Sequence, residues 1–95
     1  MQATAEIQAI PIGSSVSVRK EVERVVAVLR EQGLIVEPHA SGTDVEGDLQ
    51  RILDAVQAVH ETLHREGAVR LITNIKIETR TDKAPTLAGK RLMSG

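Results

Sequence analysis

Phenylalanine, tyrosine, tryptophan and cysteine are all missing from this chain of 95 residues. Without aromatics, the core must be filled by Val, Ile, Leu and Ala, where one buried ring would supply about 150–250 Å² of contact. A domain of this length built that way has little core to spare, and self-association is the direct way to bury more apolar surface. The same lack removes the rings on which bases stack, which excludes an aromatic RNA-binding sheet. The absence of cysteine excludes disulfides, thiol catalysis and thiolate metal sites. No apolar run approaches the roughly 20 residues of a membrane-spanning helix. The first residues, Met1-Gln2-Ala3-Thr4-Ala5-Glu6, carry neither the basic start nor the apolar stretch of a secretory signal, so the expected location is cytoplasmic. Charge of one sign is also scarce. Twelve Lys and Arg stand against 13 Asp and Glu, for a net charge of -1. Interspersed charges of this balance leave no footprint for nucleic acid or an anionic membrane.

What is present is regular patterning. Residues 3–12 alternate, with Ala5, Ile7 and Ala9 on one side and Thr4, Glu6 and Gln8 on the other, which predicts a half-buried strand ending at Pro11-Ile12-Gly13. Ser14, Ser15 and Ser17 offer helix N-caps, and Val18, Val22, Val25, Val26 and Leu29 follow at helical spacing up to Gly33. Leu34 to Glu37 reads as a short strand closed by Pro38, and His39-Ala40-Ser41-Gly42 as a turn. Thr43 to Gly47 reads as a strand, with Thr43 and Val45 on one face and Asp44 and Glu46 on the other. Asp48 is placed to cap a second helix whose apolar stripe is Leu49, Ile52, Leu53, Val56, Val59 and Leu63, with Gly67 as its stop. Val69 to Thr79 alternates strongly: Leu71, Thr73, Ile75 and Ile77 against Ile72, Asn74, Lys76 and Glu78. The tail, residues 80–95, is polar, with Pro85 and Gly89, and is expected to pack loosely or against a neighbouring subunit.

The order β-α-β-β-α-β predicts an α+β class domain over residues 1–95, a ferredoxin-like sandwich with a four-stranded antiparallel sheet and both helices on one face. The other face would carry Glu6, Gln8, Asp44, Glu46, Asn74, Lys76 and Glu78, dotted with Ile10 and Ile72. Such a face serves as solvated surface, subunit interface or ligand platform.

Three motifs suggest chemistry. His60-Glu61-Thr62-Leu63-His64 matches the helical zinc pattern H-E-x-x-H. No third ligand follows it, and His39 lies upstream in a turn, so partly exposed histidines beside the apolar stripe are the expected reading and no metal is assigned. Gly13-Ser14-Ser15 precedes a helix, where N–H groups and hydroxyls bind anions, but plain capping accounts for it. Asp44, Glu46 and Asp48 offer hard-cation ligands. Asp48 is better used as the cap, which leaves the other two as acceptors for a cationic or amino-bearing organic ligand or as ion partners of Lys76. Neither a Walker-type loop nor a dinucleotide fingerprint occurs. No nucleophile arrangement stands out, so neither catalysis nor a cofactor is expected.

Several segments together resemble the UPF0045 family of thiamine-binding domains. They are Ala5-Glu6-Ile7 through Ile10-Pro11-Ile12-Gly13, then Gly33-Leu34, then Gly42-Thr43-Asp44-Val45-Glu46-Gly47-Asp48, and Ile75-Lys76-Ile77-Glu78-Thr79-Arg80-Thr81-Asp82-Lys83, with Leu87 and Gly89-Lys90 in the tail. The resemblance implies a ferredoxin-like fold whose sheet faces pack into homodimers or homotetramers. It also implies binding of thiamine or its hydroxymethylpyrimidine part, without catalysis. Carried onto this sequence, the ligand-binding candidates are Thr43 and Glu46, then Lys76, with Ser14 and Ser15 after the turn. Glu6, Asp44 and Asn74 join them from the residue reading. With no aromatic, no side chain here stacks on a pyrimidine or thiazolium, a contact worth about 0.5–2 kcal/mol elsewhere. The alternative is an oligomeric structural or regulatory protein whose polar sheet face is its interface.

Overall fold

The computed structural model describes residues 1–13 and 18–89. Strand β1 (Gln2–Ile12) is followed by helix α1 (Val18–Glu31), β2 (Ile35–His39), β3 (Gly42–Asp48), α2 (Leu49–Arg65) and β4 (Arg70–Glu78). The sheet order is β2-β3-β1-β4, and every neighbouring pair is antiparallel. The ferredoxin-like sandwich expected from the alternation is therefore the fold observed.

One face of the sheet meets the helices. Ala3, Ala5 and Ile7 of β1, Val36 of β2 and Val45 of β3 are buried with Val25, Val26, Val28 and Leu29 of α1 and Ile52, Ala55, Val59 and Leu63 of α2. Alanines on the central strand let both helices sit close to the sheet, so small β-branched residues fill the space where larger domains use rings. Each fully buried Leu, Ile or Val contributes about 1.5–3 kcal/mol.

Capping sets the ends of α2. Asp48 has extended backbone angles and accepts a hydrogen bond from the Arg51 N–H, as an N-cap does. At the other end, Gly67 has a φ of 113°. The Ala68 N–H donates to the Leu63 carbonyl at 2.9 Å and the Gly67 N–H to the His64 carbonyl at 3.1 Å, the paired bonds of a Schellman stop. Ala68 then packs on the core and turns the chain into β4.

Two features differ from the sequence reading. Strand β2 does not stop before Pro38 but runs through it, with Pro38 opposite Thr43 and His39 opposite Gly42. Because β2 is an edge strand, a proline there forfeits no ladder bond. The tail is not loose over residues 85–89. Pro85 and Leu87 are buried, the Leu87 N–H donates to Glu46 Oε1 at 2.9 Å, and the Gly89 N–H donates to Thr86 Oγ1 at 3.0 Å. The chain's own tail therefore covers part of the polar sheet face. Residues beyond Gly89 lie outside the described residues.

Thr4 lies on that polar face, between Glu46 and Glu78 in register. It is fully buried, and its hydroxyl has no hydrogen-bond partner among the described residues. An unsatisfied buried hydroxyl carries its desolvation penalty, about 1–3 kcal/mol. Thr4→Val keeps the shape and removes that penalty. It is expected to stabilise the domain by about 1 kcal/mol and raise the melting temperature by roughly 4–8 °C. Calorimetry of the two proteins checks this, and a lower melting temperature in the variant would show that the hydroxyl is bonded.

Candidate functional site

Strand register assembles the polar face. Glu6 is the central residue of one row, opposite Asp44 on β3 and Lys76 on β4, with Glu37 opposite Asp44 on β2. One position along β1, on the same face, the Asn74 amide donates to Gln8 Oε1 at 3.3 Å. His39 ends β2 on this face. Its Nε2 lies 3.0 Å from Asp44 Oδ1 and 3.4 Å from Glu6 Oε2. The Ser41 N–H donates to its Nδ1 at 3.2 Å. With Nδ1 accepting, the neutral ring carries its proton on Nε2, which donates to Asp44.

The three carboxylates of the Asp44–Asp48 segment have separate jobs. Asp44 pairs with His39. Glu46 holds the Leu87 N–H of the tail. Asp48 pairs with the Met1 amino group at 2.8 Å and caps α2. The hydrogen bond from that amino group, with the Arg51 N–H, holds the Asp48 carboxyl below its ordinary range. Just past β4, Arg80 donates two bonds to Asp82, at 2.9 and 2.6 Å. That pairing lowers the pKa of Asp82 and raises that of Arg80. The charge pattern around Arg80 thus makes a local clasp.

A cleft of about 270 Å³ opens at one end of the sandwich, between α1 and the β2–β3 turn. Ile7, Ala9, Ile10 and Pro11 of β1 with Val22 and Val25 of α1 form its apolar walls. Gln8, Glu21, His39, Ser41 and Thr43 bring polar atoms to it. Glycine at position 42 allows this closure, since a Cβ there would stand 3.0 Å from the Ile7 carbonyl oxygen.

The structure sorts the candidates named from the sequence into groups. Glu6 and Asp44 come together with His39, and Lys76 stands beside Glu6. Thr43 is buried on the helix side and lines the cleft, so it and Glu46 point to opposite sides of the sheet. Glu46 faces the tail, and Asn74 is engaged with Gln8. Ser14 and Ser15 lie outside the described residues. Sequence reasoning missed His39 and the cleft walls of α1. Treating His39 as the last residue of an edge strand, on the same side as Asp44, would have found the histidine.

The H-E-x-x-H histidines are used elsewhere. His60 Nε2 lies 2.6 Å from Thr73 Oγ1 on β4, and His64 Nδ1 lies 2.7 Å from the Ala68 carbonyl, which it can only approach as a donor. These bonds tie α2 to β4 and to its own C-terminal stop.

A family model described as thiamine-binding protein matches residues 5–93. A UPF0045 protein of Synechocystis is 38% identical over 90 residues, covering 95% of this chain and 74% of that protein. A UPF0045 protein of Methanocaldococcus jannaschii is 37% identical over 89 residues, covering 94% of this chain and 88% of that protein. A crystal structure of a Methanocaldococcus jannaschii protein superposes with a TM-score of 0.88 at 35% identity, over 98% of this chain and 95% of that one. A Thermotoga maritima protein, provisionally named for thiamine biosynthesis or salvage, shares the fold with a TM-score of 0.84 at 21% identity, over 100% of both chains.

Proposed function

We propose that this chain, which belongs to the thiamine-binding protein family, binds thiamine through its hydroxymethylpyrimidine part in the cleft between α1 and the β2–β3 turn, without catalysing a reaction on it. The cleft carries this reading. Its volume of about 270 Å³ falls just under the roughly 300–1,000 Å³ of sites for drug-sized ligands, which suits a single substituted ring. Aliphatic walls from β1 and α1 take the ring faces in place of aromatics. A 4-aminopyrimidine needs an acceptor for its amino group and a donor for its ring nitrogens. The Glu21 carboxylate is an acceptor and the Thr43 hydroxyl both a donor and an acceptor at the lining. These groups bind and orient a ligand; they do not compose a nucleophile with its base.

Melting curves with thiamine, thiamine phosphates and hydroxymethylpyrimidine test the reading. At about 100 times its Kd a ligand adds roughly 2.7 kcal/mol, or about 10 °C or more for a domain of this size. Ala9→Leu fills the cleft from β1 and is expected to abolish the shift while leaving the circular dichroism spectrum unchanged. If none of the three compounds moves the curve, the reading fails.

A second reading, association between copies of this chain, is favoured by exposed apolar surface at one edge. Ile75 and Ile77 lie on the helix side of β4 yet are 38% and 40% exposed, and Leu53 of α2 is 42% exposed. Both helices sit toward the β1–β3 side of the sheet and leave this edge open. Part of the polar face expected to serve as the interface, at Glu46, is met by the chain's own tail.

A further inference from the structure

We propose that Glu6, His39 and Asp44 form a binding site for a divalent cation of the zinc class, on the open sheet face at the rim of the cleft. The three side chains come from three adjacent strands, and one ligand atom of each lies within 4.8 Å of the others. In a tetrahedral site with metal–ligand bonds of about 2.0–2.2 Å, neighbouring ligand atoms stand roughly 3.3–3.6 Å apart. The His39 Nε2 contacts are 3.0 Å to Asp44 and 3.4 Å to Glu6. Both His39 contacts are thus within a few tenths of an ångström of that spacing, and the two carboxylates close on the ion by side-chain rotation.

Electrostatics point the same way. Glu6 and Asp44 are directly opposite each other on paired strands, where like charges repel. The ion partner that the structure gives to both carboxylates is His39, which in its neutral form supplies only a hydrogen bond. A dication between them cancels two charges at once. One imidazole with two carboxylates selects zinc, cobalt or nickel over calcium and magnesium, which take six or more oxygens. All three side chains are only half-buried, so water reaches the remaining coordination position.

The ring is already aimed. The Ser41 N–H on Nδ1 turns Nε2 toward both carboxylates. When the ion takes Nε2, the ring proton moves to Nδ1, so the imidazole stays neutral and the 3.2 Å contact from Ser41 is given up.

The test titrates the full chain with Zn²⁺ by calorimetry and with Co²⁺ by visible absorption. One ion per chain is expected, with the strong visible bands of four-coordinate cobalt. His39→Ala and Asp44→Asn are each expected to raise the zinc Kd at least tenfold, with unchanged circular dichroism. The double variant His60→Ala, His64→Ala controls for the helical histidine pair and is expected to bind as the parent does. No binding by the parent chain, binding that survives His39→Ala, or binding lost with His60 and His64 would each overturn the proposal. The site does not rest on the thiamine reading: zinc binding without any thiamine shift sustains it, and a thiamine shift without zinc binding sinks it alone.

Discussion

Leu29→Ala is expected to lower the unfolding free energy by about 3 kcal/mol and the melting temperature by roughly 12–24 °C. Leu29 is fully buried in the last turn of α1, packed in the hydrophobic core. The cost of such a truncation depends on how far the surroundings collapse into the space left behind. Here they are poorly placed to do so. Val25, Val26 and Val28 of the same helix, Val45 and Val36 of the sheet and Ile52 of α2 are β-branched and stiff at χ1. The chain has no ring to swing into the gap. Urea denaturation of parent and variant measures the difference, with Val22→Ala as the partner experiment. Val22 lies on the same helix but is 44% exposed, so its truncation is expected to cost well under 1 kcal/mol. If Leu29→Ala cost no more than Val22→Ala, the core would be far more adaptable than its composition implies.

The double substitution Ile75→Asp, Ile77→Asp is expected to convert an assembly of this chain into monomers of 10.3 kDa. Strand β4 is an edge of the sheet, nine residues long, and such an edge offers a row of backbone donors and acceptors to a second chain. On its helix side Ile75 and Ile77 are partly exposed. A stable interface buries about 1,200–2,000 Å² in total, and an edge strand with its flanking apolar residues is a natural nucleus for it. Two carboxylates placed there would be desolvated without partners on association. Light scattering after size exclusion reads the mass directly. Ile35→Asp, on the opposite edge strand, is the comparison and is expected to leave the mass unchanged. A parent chain that is already monomeric, or an assembly indifferent to both aspartates, would remove this edge from consideration.

Much of the architecture was legible in the residues. The alternation of β1, β3 and β4 assigned each side chain to the right face, and Asp48 and Gly67 marked the ends of α2, because these signals depend only on local backbone geometry. Pro38 misled for a physical reason. A proline forbids a ladder bond only where one is needed, and the sequence does not reveal that β2 lies at an edge. The tail misled through its composition. Polar residues surround Pro85 and Leu87, yet those two are the ones that bury themselves, and Glu46 supplies the acceptor that holds them.

The candidate site was legible as residue types more than as a place. Glu6, Asp44 and Thr43 were all singled out as candidates for one ligand, although the alternation set Thr43 on the face opposite Asp44. Thr43 is on the other side of the sheet, in a cleft whose remaining wall comes from α1. Alternation alone determined which side chains share a face, since the period of two belongs to the strand itself. Only tertiary pairing decided which strands lie side by side. The pairing set β1 between β3 and β4, brought Glu6 opposite both Asp44 and Lys76, and let His39 at the end of β2 close on two carboxylates. Register is a long-range property fixed by packing against the helices, so no local pattern in the chain encodes the meeting of those three residues.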